Sequence, residues 1–146
     1  ANDSCLRCLC EKHGEFNISW TNLNKFEGCP ICNSSNGERR IFHYLHKHGV
    51  EFRRVKTFDD LIGVGGKKLS YDFYLPNFNL LIEYQGEQHE RPVEVFGGKE
   101  QFKIQQEHDR RKKEYASTHG IELLEIWYYD FLELEQILNN KILVIT

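Results

Sequence analysis

The stretch YDFYLPNFNLLIEYQGEQH, residues 71 to 89, constrains this chain more than any other. Two short apolar runs flank a turn centred on Asn77 and Phe78, the pattern of a β-hairpin. Pairing residues 71–75 with residues 80–85 sets Leu75 opposite Leu80 and Asp72 opposite Glu83. Side chains alternate between faces along a strand, so Asp72, Tyr74, Leu81, Glu83 and Gln85 share one face. Two carboxylates directly opposite one another repel, and this face therefore calls for a cation unless it lies in solvent at a sheet edge. A divalent, oxygen-loving metal such as Mg²⁺, held by Asp72 and Glu83 and keeping waters for a phosphate substrate, meets that need.

The elements around the hairpin follow from periodicity and punctuation. A helix is predicted over about residues 36–48, where Glu38, Ile41, Phe42 and Leu45 fall at i, i+3, i+4 and i+7. A strand follows at 50–58, then the Gly-rich loop GVGGKK and the hairpin, whose strands fall at 70–75 and 79–85. Beyond a loop containing Pro92 and the Gly97-Gly98 pair come a helix over about 99–118, a strand at 121–128 and a helix at 130–140. This order is mixed α/β, and its length of 146 residues suits one domain or one domain plus a small module.

The cysteines decide between those two. Cys5, Cys8, Cys10, Cys29 and Cys32 all lie in the first 32 residues, and the polar, turn-prone NSSNG segment, residues 33–37, follows them. Domains are expected at 1–34 and 35–146. An odd number of cysteines crowded into one segment fits a metal site better than a disulfide framework. Cys10-x2-His13 and Cys29-x2-Cys32 have the spacing with which two knuckles grip a tetrahedral Zn²⁺, and four protein ligands would make that zinc structural. Cys5-x2-Cys8 is a rival for the first knuckle. The EFNISW stretch alternates as a strand should and lies among the fifteen residues between His13 and Cys29, where a small hairpin is expected.

Composition adds limits. An apolar share of 40% and an aromatic share of 13% suit a folded protein, and nothing resembles a membrane span or a secretory signal, so a soluble intracellular protein is expected. The absence of methionine implies a processed product or a fragment. Net charge is −3 with pI near 6.2, which does not announce a nucleic-acid binder. Positive charge is local, however: six basic residues lie between Lys99 and Lys113, ending in Arg110-Arg111-Lys112-Lys113. A solvated helix face explains that run equally well.

Three more polar residues are candidates. Glu38 points to the core side of its helix, or closes a capping box with Ser35, or does both. His89 follows Gln85 by four residues and can serve as general base or metal ligand at the end of the strand. Asp109 has Lys112 and Lys113 at i+3 and i+4, the spacing of an ordinary helical ion pair.

The strings GERRI, YDFYLP, IEYQGEQH followed by FGG, and HDRRKKEY before IELLEIWYY resemble, in order and spacing, phage-encoded nucleases related to the very-short-patch-repair endonuclease. These belong to the PD-(D/E)XK superfamily and include homing endonucleases with an E-D-x-H-D signature. The likeness covers residues 37 to about 130, and the CxxHGxF…GCPxC segment is similar to zinc modules found beside such nucleases. It implies Glu38 as the first acid, Asp72 as the central metal ligand, Glu83 as the superfamily acid, His89 as the signature histidine and Asp109 as the last acid. Gln85 stands where the superfamily has a lysine. An amide cannot supply positive charge, so His89 is the expected base and Lys112 lends charge from the helix.

The fold expected is a three-layer PD-(D/E)XK-like α/β domain with a mixed central sheet, preceded by a zinc ribbon. The function expected is Mg²⁺-dependent hydrolysis of phosphodiester bonds in double-stranded DNA, in a homing or phage-mobility role within a bacterial cytoplasm. Lys67, Lys68, Arg110, Arg111 and Lys113 are the expected DNA contacts, and Gly65-Gly66-Lys67-Lys68 has backbone and charge suited to a phosphate. A repair nicking enzyme of the same fold and an inactive zinc-dependent DNA-binding protein are the alternatives.

Overall fold

A computed structural model of the chain describes residues 5–11, 14–19, 35–86 and 98–142. The chain forms two compact units, Ala1–Arg40 and Ile41–Thr146.

In the first unit, β1 (Cys5–Cys10) pairs antiparallel with β2 (Gly14–Ser19), from Cys10 opposite Gly14 to Cys5 opposite Ser19. Strand β2 falls on the predicted EFNIS stretch. It pairs with the cysteine-bearing segment upstream, and the rest of the hairpin expected between His13 and Cys29 lies outside the described residues. The reason is legible in the alternation of LRCLC: Leu6, Cys8 and Cys10 are half-buried, and Arg7 and Leu9 between them are exposed. Across the hairpin Phe16 is half-buried and Ile18 buried, while exposed Arg7 and Glu15 form an ion pair at 2.6 Å. Cys8 and Cys10 are in no disulfide.

Helix α1 (Asn36–Lys47) starts at a working cap, with the Glu38 amide donating to Ser35 Oγ at 3.2 Å. From Ile41 onward its apolar residues belong to the second unit. There β3 (Arg53–Ile62), β4 (Lys68–Leu75), β5 (Leu80–Gln85) and β6 (Glu122–Trp127) form one mixed sheet in the order β3-β4-β5-β6. The first two pairings are antiparallel and β5–β6 is parallel. Parallel neighbours need a crossover, which α2 (Gly98–Thr118) supplies. Helix α3 (Leu134–Ile142) closes the described chain, and none of the described helices is long and apolar enough to cross a membrane.

The predicted hairpin register is the observed one. Leu75 lies opposite Leu80, Tyr74 opposite Leu81 and Phe73 opposite Ile82. A 3-10 turn, Pro76–Phe78, joins the strands, and Asn79 takes the left-handed conformation at φ +47°, which Asn tolerates better than most residues. Phe73, Leu75, Leu80, Ile82 and Ile126 pack with Ile41, Tyr44 and Leu45 of α1 and with Leu134, Leu138 and Ile142 of α3. Leu61, Tyr71 and Leu81 pack with Ala116 of α2 in a second cluster. Burying one Leu, Ile or Phe side chain stabilises by about 1.5–3 kcal/mol, whereas an exposed ion pair is worth about 0–1 kcal/mol, so these two clusters hold the sheet together.

Tyr71 shares parity with Phe73 yet belongs to the α2-side cluster. The alternation slips at Asp72, just past the last ladder pair between β4 and β5.

Two predicted boundaries moved. Strand β3 begins at Arg53 rather than 50 and runs on to Ile62, with a register shift between Thr57 and Ile62 that a period-two pattern does not reveal. The last helix begins at Leu134, preceded by a 3-10 segment, Tyr128–Glu133, interrupted at Asp130. Between β3 and β4, Gly63 is obligatory: a Cβ there would lie 2.7 Å from Leu69 and 2.8 Å from His108 Nε2. The same histidine nitrogen accepts a hydrogen bond from the Val64 amide at 3.0 Å. Burial, with Arg111 and Lys112 nearby, holds the His108 imidazole below its usual range, in keeping with an unprotonated acceptor nitrogen.

Candidate functional site

Past Phe73 and Ile82 the strands β4 and β5 stay linked through side chains. The Asp72 amide donates to Glu83 Oε1 at 3.2 Å, and the Tyr84 amide donates to Asp72 Oδ2 at 2.8 Å. The two carboxylates thus meet as the register predicts. Asp72 is half-buried, and Glu83 is only 4% exposed.

The cation that such a pair demands comes from α2. Lys112 Nζ lies 2.7 Å from Glu83 Oε1, with both side chains almost wholly buried. The Lys112 ammonium also lies 5.3 Å from the Tyr71 ring centroid, and the Tyr71 hydroxyl donates to the Lys112 carbonyl at 2.7 Å, tying the helix to the sheet. Burial pushes the Glu83 carboxyl up to about 8; Lys112 opposes the rise, and Asp72 and Asp109 add to it. Burial also raises the Tyr71 phenol, with Glu83 contributing.

Strand β6 brings a third carboxylate. The parallel register sets Glu125 beside Glu83 and Trp127 beside Gln85. Gln85, 3% exposed, donates its Nε2 hydrogen to Glu125 Oε2 at 2.7 Å, and Lys113 Nζ lies 3.5 Å from Glu125 Oε1. Gln85 Oε1 is buried and meets no donor among the described residues.

Of the residues singled out in the sequence, Asp72, Glu83, Gln85, Asp109 and Lys112 belong to this neighbourhood. Asp109 acts on Glu83 through its charge and accepts a hydrogen bond from Gln105 at 3.1 Å. Lys112 and Lys113, read from helical spacing as partners of Asp109, reach across to Glu83 and Glu125. Glu38 belongs to the first unit, half-buried at the start of α1. His89 lies outside the described residues, as do His13, Cys29 and Cys32. Cys10 ends β1 and is half-buried. The rival Cys5–Cys8 knuckle needs a turn, but the backbone between them is extended, which separates their Cα atoms by about 10 Å.

The expected DNA contacts are largely engaged within the protein. Lys68 Nζ lies 2.7 Å from Asp59, Arg110 bridges Glu107 and Glu114, and Arg111 binds Glu107 and the Ile62 carbonyl. Lys67 is exposed in the β3–β4 turn. Among the described residues, no three His, Cys, Asp or Glu side chains converge as a ready-made metal cage.

Sequence reasoning missed Tyr71 and Glu125. Tyr71 was hidden by the slip in alternation. Glu125 sits in an unremarkable LLEIW strand, and only the parallel register across a long crossover sets it beside Glu83.

A protein of Frog virus 3 (isolate Goorha), named Uncharacterized protein 094L, is 38% identical to this chain over 82 residues, 55% of this chain and 53% of that protein. The chain thus spans about half the length of that relative, whose name states no activity. No family model matches the chain, and no solved structure matches it.

Proposed function

We propose that the second unit is a metal-dependent DNA endonuclease of the PD-(D/E)XK type. The observation that carries this reading is the buried Asp72–Glu83–Lys112 cluster at the point where β4 and β5 separate. The element order α-β-β-β-α-β supports it, as does the resemblance in the YDFYLP and IEYQGEQH strings.

The donor set fits Mg²⁺. Asp72 and Glu83 offer hard oxygen ligands, and Gln85 Oε1, which has no partner among the described residues, is a buried acceptor on the same strand face as Glu83. When bound, Mg²⁺ supplies positive charge to the scissile phosphate and acidifies the attacking water. Lys112 compensates Glu83 from α2 in the absence of a lysine at position 85, His89 takes the proton, and Asp109 orients it. Lys67 contacts DNA phosphates, and Lys68, Arg110, Arg111 and Lys113 join only by loosening their present partners. A homing or phage-mobility role rests on the resemblance alone.

One reading competes: an inactive nuclease scaffold that binds DNA. It is favoured by Gln85 in the lysine position and by the engagement of Arg110, Arg111 and Lys113 with acids. Incubating the full chain with supercoiled plasmid in Mg²⁺ or in EDTA separates the two. Nicked or linear product in Mg²⁺ alone is the expected result. DNA binding without product favours the scaffold, and neither binding nor product overturns both.

The first unit is proposed as a zinc module with Cys10, His13, Cys29 and Cys32 as ligands. Metal analysis should find one Zn²⁺ per chain, with Cys10→Ser and Cys29→Ser each losing it, because ligand binding and folding of such modules are coupled. Full retention in both variants would sink the ligand set.

A further inference from the structure

We infer that Glu125 is a positioning residue that holds the Gln85 amide in one orientation, so that Gln85 Oε1 serves as a further oxygen ligand for the divalent cation of the nuclease site proposed above, on which this assignment rests. The two ends of an amide differ little in shape, and only hydrogen-bond partners decide which way it points. An ionised carboxylate only accepts. With Glu125 Oε2 at 2.7 Å, the amide must present Nε2 to it, since a flipped Gln85 would set carbonyl oxygen against carboxylate. Lys113 Nζ lies 3.5 Å from the other oxygen of Glu125, which leaves Oε2 to the amide.

The direction of the side chain follows from the register. Gln85 is level with Trp127, yet it bonds Glu125, which is level with Glu83. The amide therefore leans back along β5 toward Glu83, about two residues or roughly 7 Å of strand away. Its carbonyl oxygen is sealed from solvent and has no donor among the described residues. Leaving a buried acceptor unmet costs about 1–3 kcal/mol, and folded proteins keep few such atoms. An amide oxygen suits a hard divalent ion, and it adds a ligand without adding negative charge beside Asp72 and Glu83.

The test is Mn²⁺ titration of the full chain at fixed ionic strength, reading the free ion by its paramagnetic resonance, with thermal unfolding of each variant alongside. Asp72→Asn defines the affinity that belongs to this site. Gln85→Leu is expected to weaken that affinity about 10-fold, and Glu125→Gln by a similar factor, the size seen when residues that orient metal ligands are removed. Gln85→Leu combined with Glu125→Gln should be no weaker than Gln85→Leu alone, because Glu125 acts only through the amide. The exchange Gln85→Glu with Glu125→Gln restores one hydrogen bond across the pair and should return binding to at least the parent level. A merely structural pair would lower the unfolding midpoint in the single variants and leave Mn²⁺ affinity unchanged. Parent-like affinity in Gln85→Leu and Glu125→Gln, with binding lost in Asp72→Asn, overturns this inference and leaves the nuclease reading standing. Parent-like affinity in Asp72→Asn overturns both.

Discussion

Asp72→Asn should cut DNA at least about 10³-fold more slowly than the parent and should bind it, without metal, at least as tightly. The first half follows from the part assigned to Asp72 as a ligand: positive charge at a scissile phosphate is worth several kcal/mol, and about 4 kcal/mol is three decades in rate. The second half follows from local charge. Asp72, Glu83, Glu125 and Asp109 are gathered about one end of the sheet, and Lys112 and Lys113 answer only part of that charge. An approaching phosphate is repelled there until a cation is bound, so the parent's DNA affinity should rise with Mg²⁺, or with Ca²⁺ if that ion binds without supporting cleavage. Asn at this position removes one charge and one ligand together, and its DNA affinity should respond little to metal. Both proteins must be compared at fixed ionic strength, because added divalent salt alone weakens phosphate contacts. Undiminished cleavage by Asp72→Asn, or a metal response equal to the parent's, would make Asp72 an ordinary strand residue.

How Asp72 and Glu83 come together was readable in advance because a tight hairpin converts sequence separation into register. With a 3-10 turn at Pro76–Phe78 and a left-handed Asn79, Leu75 has to face Leu80, and everything along the ladder follows. Helix α1 was equally legible, since Ile41 and Leu45 repeat at helical spacing and Ser35 caps its start. Lys112 was the one member of the basic run singled out for the site, but its depth was not foreseeable. Four consecutive cations look alike in sequence, whereas in the fold only Lys112 turns to buried Glu83 and its neighbours meet half-buried or exposed acids. Glu125 and the length of β3 were invisible for a common reason: each depends on pairing across a crossover or a register shift, which local periodicity does not encode.

Lys112→Met is expected to destabilise the second unit progressively above about pH 8, toward about 3–5 kcal/mol, and much less at neutral pH and in acid, since removing one partner of a buried ion pair strands the other only once Glu83 is ionised. The pH dependence follows from Glu83. Its carboxyl is already raised from the ordinary value of 4.5 to about 8 by burial, with Lys112 resisting. A group raised on folding contributes stability that is full below its unfolded pKa and is lost as pH rises through the folded one. Without Lys112 the folded pKa climbs further, so above about pH 8, where the parent's Glu83 gives up its proton and the variant's does not, the variant binds more protons on folding and falls behind the parent. Unfolding midpoints measured from about pH 5 to about pH 10 should therefore differ little below about pH 7 and diverge above about pH 8. Glu83→Gln combined with Lys112→Met removes both charges while leaving an acceptor for the Asp72 amide. That pair should recover most of the lost midpoint, lose the divergence and remain inactive, because two buried charges replaced together cost little. A Lys112→Met midpoint depressed equally at about pH 6 and about pH 10 would mean that Lys112 supports the fold by packing its stem and ammonium on Tyr71, not by answering the charge of Glu83.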